Sequence, residues 1–374
     1  MKLRTLALAA LAAGGAPAFA QSSVTLYGTV DQYINTMKSS SGASATALED
    51  GAYLRTRLGM RGVEDLGSGL QAKFNLEMGI NGDTGAAAGS GFDRQSWVGL
   101  ASPAWGEIRL GRQNTAIFYR GDYIDPTSRT LGSVVNDFGV PSRFDNDIAY
   151  LSPRIAGFMF EGHYALAETG APSKQAIYQA AVDWTSGPYR VGYAGLYARA
   201  PKSALYDKPV RYDNLYANYD YGRGKVYAVF IRSNNSTSSA STSANGATIL
   251  GNVGGVVAGT DPNVNRYFHI WQLAADYRAT SQLRLGALYG RISDQSGGGA
   301  NASGVGLSAY YDLSKRTMLY AVAQRLANDP NAGFRFSGSA GLKTNFSGGD
   351  VNGQSIRALS LGITVLGFPL YLLA

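Results

Sequence analysis

Tyr53-Leu54-Arg55-Thr56-Arg57-Leu58-Gly59-Met60-Arg61 sets one tyrosine and three arginines on one parity, with Leu54, Leu58 and Met60 on the other. A two-residue period marks a strand with one polar and one apolar face. After a turn rich in Gly, Asp and Ser at residues 62–69, the alternation resumes. Leu70, Ala72, Phe74, Leu76 and Met78 oppose Gln71, Lys73, Asn75 and Glu77. Two amphipathic strands joined by a polar turn predict a hairpin. Its charged face is too charged for the core of a soluble sandwich, and its other face is too uniformly apolar for water. A closed antiparallel β-barrel in lipid, all-β and with a polar lumen, satisfies both faces. An arginine on the outer face at the bilayer midplane costs about 2–4 kcal/mol, so Arg55, Arg57 and Arg61 are expected to point inward, with Lys73 and Glu77.

Composition agrees. The 374 residues contain 48 Gly, 24 Tyr, 12 Pro and no Cys, which suits many strands and turns and excludes disulfide or thiolate chemistry. Ahead of the last few residues, no segment after residue 20 offers the roughly 18 consecutive apolar residues of a spanning helix. Residues 1–20 read as a cleaved secretory signal: Lys2 and Arg4 at the start, an apolar middle at 6–13, and Ala18-Phe19-Ala20 before Gln21. Without Lys2 and Arg4, the 33 basic residues become 31 against 26 acidic ones, a net +5. That modest excess does not suit a nucleic-acid binder, but concentrated in a pore it favours anions.

Further along, residues 24–35 read as the first strand and 38–51 as a loop. Hairpins then recur, with turns such as Ser152-Pro153-Arg154, Ser186-Gly187-Pro188 and Asp312-Leu313-Ser314, and with long polar connections at 233–265 and 328–354. Short turns at one end and long loops at the other predict about 16 strands, counting a closing strand after Ser355. Tyr216, Tyr219, Trp271, Tyr310 and Tyr311 near strand ends fit an interfacial girdle as well as ordinary β-propensity. Residues 114–142 break the rhythm with Phe118-Tyr119-Arg120-Gly121-Asp122-Tyr123-Ile124-Asp125-Pro126. A loop so long and aromatic is expected to pack inside the barrel, with Asp122 and Asp125 facing Arg57, Arg94 and Arg143 across a narrowing that Arg55 also lines. The alternative is an external loop with solvated acids.

Several stretches resemble the general porins of Gram-negative outer membranes, particularly the betaproteobacterial type. They are Ser23-Val24-Thr25-Leu26-Tyr27-Gly28, the block from Arg57-Leu58-Gly59-Met60-Arg61-Gly62-Val63-Glu64 to Leu70, Trp97-Val98-Gly99-Leu100, Gly111-Arg112-Gln113, and Asp145-Asn146-Asp147-Ile148-Ala149-Tyr150-Leu151-Ser152-Pro153. The resemblance implies a 16-stranded homotrimer in outer-membrane lipid, passive diffusion of small hydrophilic solutes and anions, and a third extracellular loop folded into each pore. It also implies an arginine cluster at the constriction, carried over to Arg57, Arg94 and Arg143. Members normally end on an aromatic residue read by the barrel-assembly machinery. Here residues 364–374, Thr364-Val365-Leu366-Gly367-Phe368-Pro369-Leu370-Tyr371-Leu372-Leu373-Ala374, form an atypical tail.

Catalytic and metal chemistry find no support. His163 shares the wet face with Glu161, and His269 lies among Tyr267, Trp271 and Leu273, so neither is set beside a nucleophile. Asp261, Asn263 and Asn265 mimic the start of a calcium loop, but Arg266 stands where Gly is required. No cofactor, metal or nucleic-acid partner is expected. The expectation is a water-filled, anion-preferring diffusion channel; a solute-selective channel for sugars or phosphate, an adhesin and a barrel hydrolase are the alternatives.

Overall fold

The computed structural model describes residues 23–167, 176–198, 209–234, 267–295 and 297–367. The signal segment, the calcium-like residues 261–266 and residues 368–374 lie outside them. The first strands are β1 (Ser23–Ser39), β2 (Ser44–Asp50), β3 (Arg57–Gly67), β4 (Leu70–Gly79), β5 (Gln95–Ser102) and β6 (Gly106–Asn114). Next come β7 (Arg143–Leu151), β8 (Phe158–Ala165), β9 (Ile177–Ser186), β10 (Tyr189–Ala198), β11 (Val210–Asp220) and β12 (Lys225–Ser233). The last five are β13 (Phe268–Arg278), β14 (Leu283–Asp294), β15 (Ala302–Asp312), β16 (Thr317–Asn328) and β17 (Ser355–Gly367). Each pairs antiparallel with its neighbours, and β17 returns to β1 from Gly28↔Gly367 to Ser39↔Ile356. The sheet is therefore a closed barrel, which leaves no row of unpaired backbone groups to be desolvated in lipid. Among the described residues no helix is long and apolar enough to cross a membrane.

Side chains sort by parity, as the period requires. On β1, Val24, Leu26, Val30 and Ile34 are exposed on the outer wall, while Tyr27, Thr29, Asp31 and Tyr33 are buried on the inner one. Tyr219, Trp271 and Tyr311 lie on the outer wall as expected of a girdle, whereas Tyr216 and Tyr310 are buried inside and belong to the lumen.

Two strand assignments differ from the sequence reading. Residues 44–50, expected to be loop, form β2 along the upper half of β1, while β3 takes the lower half. Seventeen strands thus fill sixteen positions around the barrel. Tyr53, Leu54, Arg55 and Thr56, expected to be strand, lie in a bracket at 51–56 that leaves the sheet. The ladder resumes three β1 residues on, from Gln32↔Asp50 to Thr29↔Arg57, a distance of about 10 Å bridged by chain able to span about 23 Å. The surplus chain turns inward, where the Tyr53 ring packs tilted against Tyr310 (5.1 Å between ring centroids) and Tyr320 (6.5 Å).

Two long connections also pack against inward faces. The inner loop, 115–142, carries short helices Ala116–Tyr119 and Val134–Phe138. It lies in a bay of small residues on the inner faces of β14 and β15. A Cβ on Gly290 or Gly304 would come within 2.9 and 2.5 Å of Val134, and one on Gly306 within 2.5 Å of the Gly132 carbonyl. Only glycine lets the loop approach the wall so closely. The final loop, 329–354, expected to be an outer polar connection, is instead drawn in by Phe334 and Phe336. Phe334 meets Phe138 at 6.2 Å and Phe268 at 5.9 Å, in one buried aromatic cluster.

Candidate functional site

Glu77 on β4 is the centre of a cationic cluster. The ladder sets it opposite Gly59 on β3 and Gln95 on β5, so Arg57 and Arg94 arrive from the two neighbouring strands. Arg94 Nε donates to Glu77 Oε1 at 2.7 Å, Arg57 Nε lies 3.6 Å from Oε2, and the Tyr27 hydroxyl donates to Oε2 at 3.0 Å. Gly59 makes this possible, because a Cβ there would sit 2.5 Å from the Tyr27 ring. Arg143, first residue of β7, stacks its guanidinium over Phe118 of the inner loop at 4.8 Å, and Arg129 lies over the same ring at 4.3 Å. Arg57 and Arg94 thus share one carboxylate, and the Arg143 charge bears on it from beside them. Arg57 Nε and Arg143 Nε and Nη2 have no hydrogen-bond acceptor among the described residues. Burial lowers the Arg129 guanidinium from its ordinary value.

The expected site residues divide into three groups. Arg57, Arg94 and Arg143 come together as expected, and Asp122 is exposed on the inner loop, lining the same cavity as Arg57. Arg61 and Lys73 keep their inward parity below this level: Arg61 lies over the Tyr27 ring at 5.6 Å and Lys73 pairs with Glu107 at 3.2 Å. The third group serves elsewhere. Arg55 leaves the cluster and donates to the Ala340 carbonyl (2.9 Å) and Asn81 Oδ1 (3.1 Å), which ties the bracket to the final loop.

Asp125 was expected to face the arginines; it is buried and pins its own loop. Its Oδ1 accepts from Thr127 N at 2.9 Å and Arg129 N at 3.1 Å, and its Oδ2 from the Ser133 hydroxyl at 2.6 Å and Gln272 Nε2 at 2.8 Å. A carboxylate this close to backbone N–H groups is satisfied before any arginine reaches it. Glu161 and His163 hold the inward parity of β8 but lie beneath the inner loop rather than against lumen water. His163 Nδ1 meets Asp147 Oδ2 at 2.6 Å, its Nε2 meets Glu161 Oε1 at 2.8 Å, and Glu161 pairs with Arg120 of the loop. This buried chain of charges clamps the loop to the wall.

Sequence reasoning missed three contributors: Asp31, the bracket and the final loop. Asp31 is 0% exposed, and its carboxylate accepts from Tyr53 N (3.1 Å), Leu54 N (2.7 Å), Thr364 Oγ1 (2.9 Å) and the Tyr320 hydroxyl (2.5 Å). An acid in mid-strand was a signal, since a buried carboxylate must find donors. The final loop fastens to the inner one through Asn136 Nδ2, which donates to the Ser337 carbonyl at 2.7 Å, and through Ser337 N, which donates to Asp137 Oδ1 at 3.0 Å. Burial pushes the Asp137 carboxyl well above the usual carboxylate range. Phe334-Arg335-Phe336 carried a trace of this docking in its alternation.

A family model of Gram-negative porins matches residues 7–331. An outer membrane porin protein of Bordetella pertussis is 32% identical over 378 residues, spanning 88% of this chain and 95% of its own. Outer membrane porin protein 32 of Delftia acidovorans is 32% identical over 387 residues, spanning 97% and 99%. The anion-selective porin from Comamonas acidovorans shares the fold with a TM-score of 0.75 at 24% identity, covering 93% of this chain and 100% of that one. OmpT of Vibrio cholerae, described in its trimer form, does so with 0.65 at 15% identity, covering 92% and 99%. Matches of this extent, on a barrel that turns its polar parity inward, mean that the chain belongs to the Gram-negative porin family, as a channel protein of the outer membrane.

Proposed function

We propose that this porin is an anion-preferring homotrimeric diffusion channel whose narrowest part is set by Arg57, Arg94 and Arg143 on one side and Asp122 on the other. The observation that carries the reading is the excess of guanidinium groups over carboxylate around Glu77, where Arg94 and Arg57 both approach its oxygens and Arg143 adds a third charge. Fixed cations in excess of carboxylates in a narrow, low-dielectric passage raise the local anion concentration, and no bond is made or broken. The description of the Comamonas acidovorans structure as anion-selective supports the sign.

The trimer is supported by the outer wall. Its large exposed strand aromatics begin at Tyr150 on β7 and end at Tyr311 on β15. From β16 through β1 to β6 the large exposed strand residues are aliphatic, such as Leu361, Ile363, Val30 and Leu58. Among the described residues the exposed aromatics of this arc, Phe92 and Trp105, lie in its connections, and its aliphatic strand surface suits contact with another copy.

Single channels in a planar bilayer under a KCl gradient test the charge assignment. The expected reversal potential is anion-directed. Arg57→Ser or Arg94→Ser should each lower the chloride-to-potassium permeability ratio by a factor of about 2–5, as expected on removing one of a few charges that focus ions at a narrowing. A cation-directed reversal in the parent protein overturns the proposal.

A further inference from the structure

The bracket at 51–56 has no role in the arginine cluster, yet it is held with more hydrogen bonds than a surplus loop requires. Its base hangs on Asp31: Gly51 N donates to the Asp31 carbonyl at 2.9 Å, Asp31 N donates to Thr56 Oγ1 at 3.1 Å, and the carboxylate takes Tyr53 N and Leu54 N. Its far side is tied to both loops. Leu131 N of the inner loop and Ser339 N of the final loop each donate to the Ala52 carbonyl at 3.3 Å, and Ala340 N donates to the Gly51 carbonyl at 2.9 Å. The Tyr53 and Ser128 hydroxyls lie 3.5 Å apart. Such over-determination holds two side chains, Tyr53 and Leu54, at one place in the lumen.

That place is the inner end of a cavity of about 640 Å³ that runs to the turns joining β13 to β14 and β15 to β16. Tyr53, Leu54, Tyr310 and Met318 make one side of it apolar, beside Arg57. Arg284 stacks over Tyr310 at 4.3 Å, and across the whole lining five cationic side chains face two acidic ones, Asp122 and Asp312. An apolar surface beside the Arg57 guanidinium, in a lining with more cations than acids, is complementary to a solute with a flat apolar body and one negative end.

We infer that the bracket is a specificity element of the channel: Tyr53 and Leu54 form an apolar lip beside Arg57, and the lumen there favours aromatic carboxylates over polyhydroxylated carboxylates of similar size. This rests on the reading of the same lumen as an anion route and assigns it a class of organic anion. Arg57 takes the carboxylate, the lip shields the apolar body from water, and a hydroxylated body loses hydration against the Tyr53 ring face and Leu54, which return no hydrogen bond.

The test is a bi-ionic potential across single channels, with sodium benzoate on one side and sodium threonate, a monoanion with as many non-hydrogen atoms, on the other. In the parent channel the benzoate-to-threonate permeability ratio should exceed the ratio of free-solution mobilities by about three- to tenfold, the factor given by shielding a few tens of Å² of apolar surface. Tyr53→Ser combined with Leu54→Asn should bring it down to the mobility ratio, while Tyr53→Phe should leave it high. Should the double variant fail to assemble, Leu54→Asn alone, which leaves the ring contact with Tyr310 intact, reads the same quantity. A parent ratio equal to the mobility ratio, or substitutions of the lip that leave it unchanged, overturns the inference. A KCl gradient on the same membrane separates the two readings: an anion-directed reversal with no benzoate preference removes the lip alone, and a cation-directed one removes the anion route itself.

Discussion

Single carboxylates organise this lumen by the donors they collect. Glu77 collects arginines and defines the cationic cluster, whereas Asp125 collects backbone N–H groups and disappears into its loop. Asp31 collects two backbone N–H groups and two hydroxyls from three separate parts of the chain. Removing it by Asp31→Ala strands two buried hydroxyls and two part-buried N–H groups, and a stranded buried group costs about 1–3 kcal/mol, so a loss of about 3 kcal/mol is expected after partial relaxation. Asp31→Asn, which keeps an oxygen at the site, should cost less. Urea unfolding of the detergent-solubilised protein checks both, and an unchanged midpoint for Asp31→Ala would show that the bracket is held by something else.

The inner loop, the final loop and the bracket support one another as elements rather than standing as separate connections. Their junction includes Asp137, whose carboxyl is raised by burial and whose partner is Ser337 N. The sign follows from the direction. A buried acid with a raised folded-state value favours the docked loops while protonated, at pH below its unfolded value near 4, and that support is lost as pH climbs through the raised value. Hydrogen exchange of residues 131–139 and 334–340, corrected for intrinsic rates, should therefore quicken from pH 5 to pH 8. Asp137→Asn should flatten that dependence and slow exchange at pH 8; an identical slope in the variant would remove Asp137 as its cause.

For the whole molecule, closure creates two kinds of outer surface on one wall. The arc from β7 to β15 carries aromatics suited to the membrane interfaces, and the large exposed strand residues of the arc from β16 to β6 are aliphatic. With the aliphatic arc as the contact between copies, Leu361→Arg should convert the oligomer to folded monomers. Leu273→Ser on the opposite arc should leave it assembled. Cross-linking of outer-membrane fractions reads the difference, and a Leu361→Arg protein that still cross-links as a trimer would move the contact elsewhere on the wall. The charge penalty in lipid, about 2–4 kcal/mol at the midplane, is small beside the stability of a complete ladder, so the barrel itself should persist.

Sequence alone left the aromatic loop after β6 open between an inward and an external place, but it determined the barrel and the inward parity of Arg57, Arg61, Lys73 and Glu77. Each of these depends on which solvent a side chain meets, and a two-residue period records that choice locally. Tertiary structure alone decided the rest. Residues 53–56 continue the alternation of β3 and yet leave the sheet, because the extra length is visible only against β1. The partners of Asp31 lie as far away as Thr364, and those of Asp137 lie in a loop that reads as polar and external. Which arginine is left with spare donors, and which carboxylate is taken by backbone, depends on what closing the barrel brings face to face, and no local period carries that information.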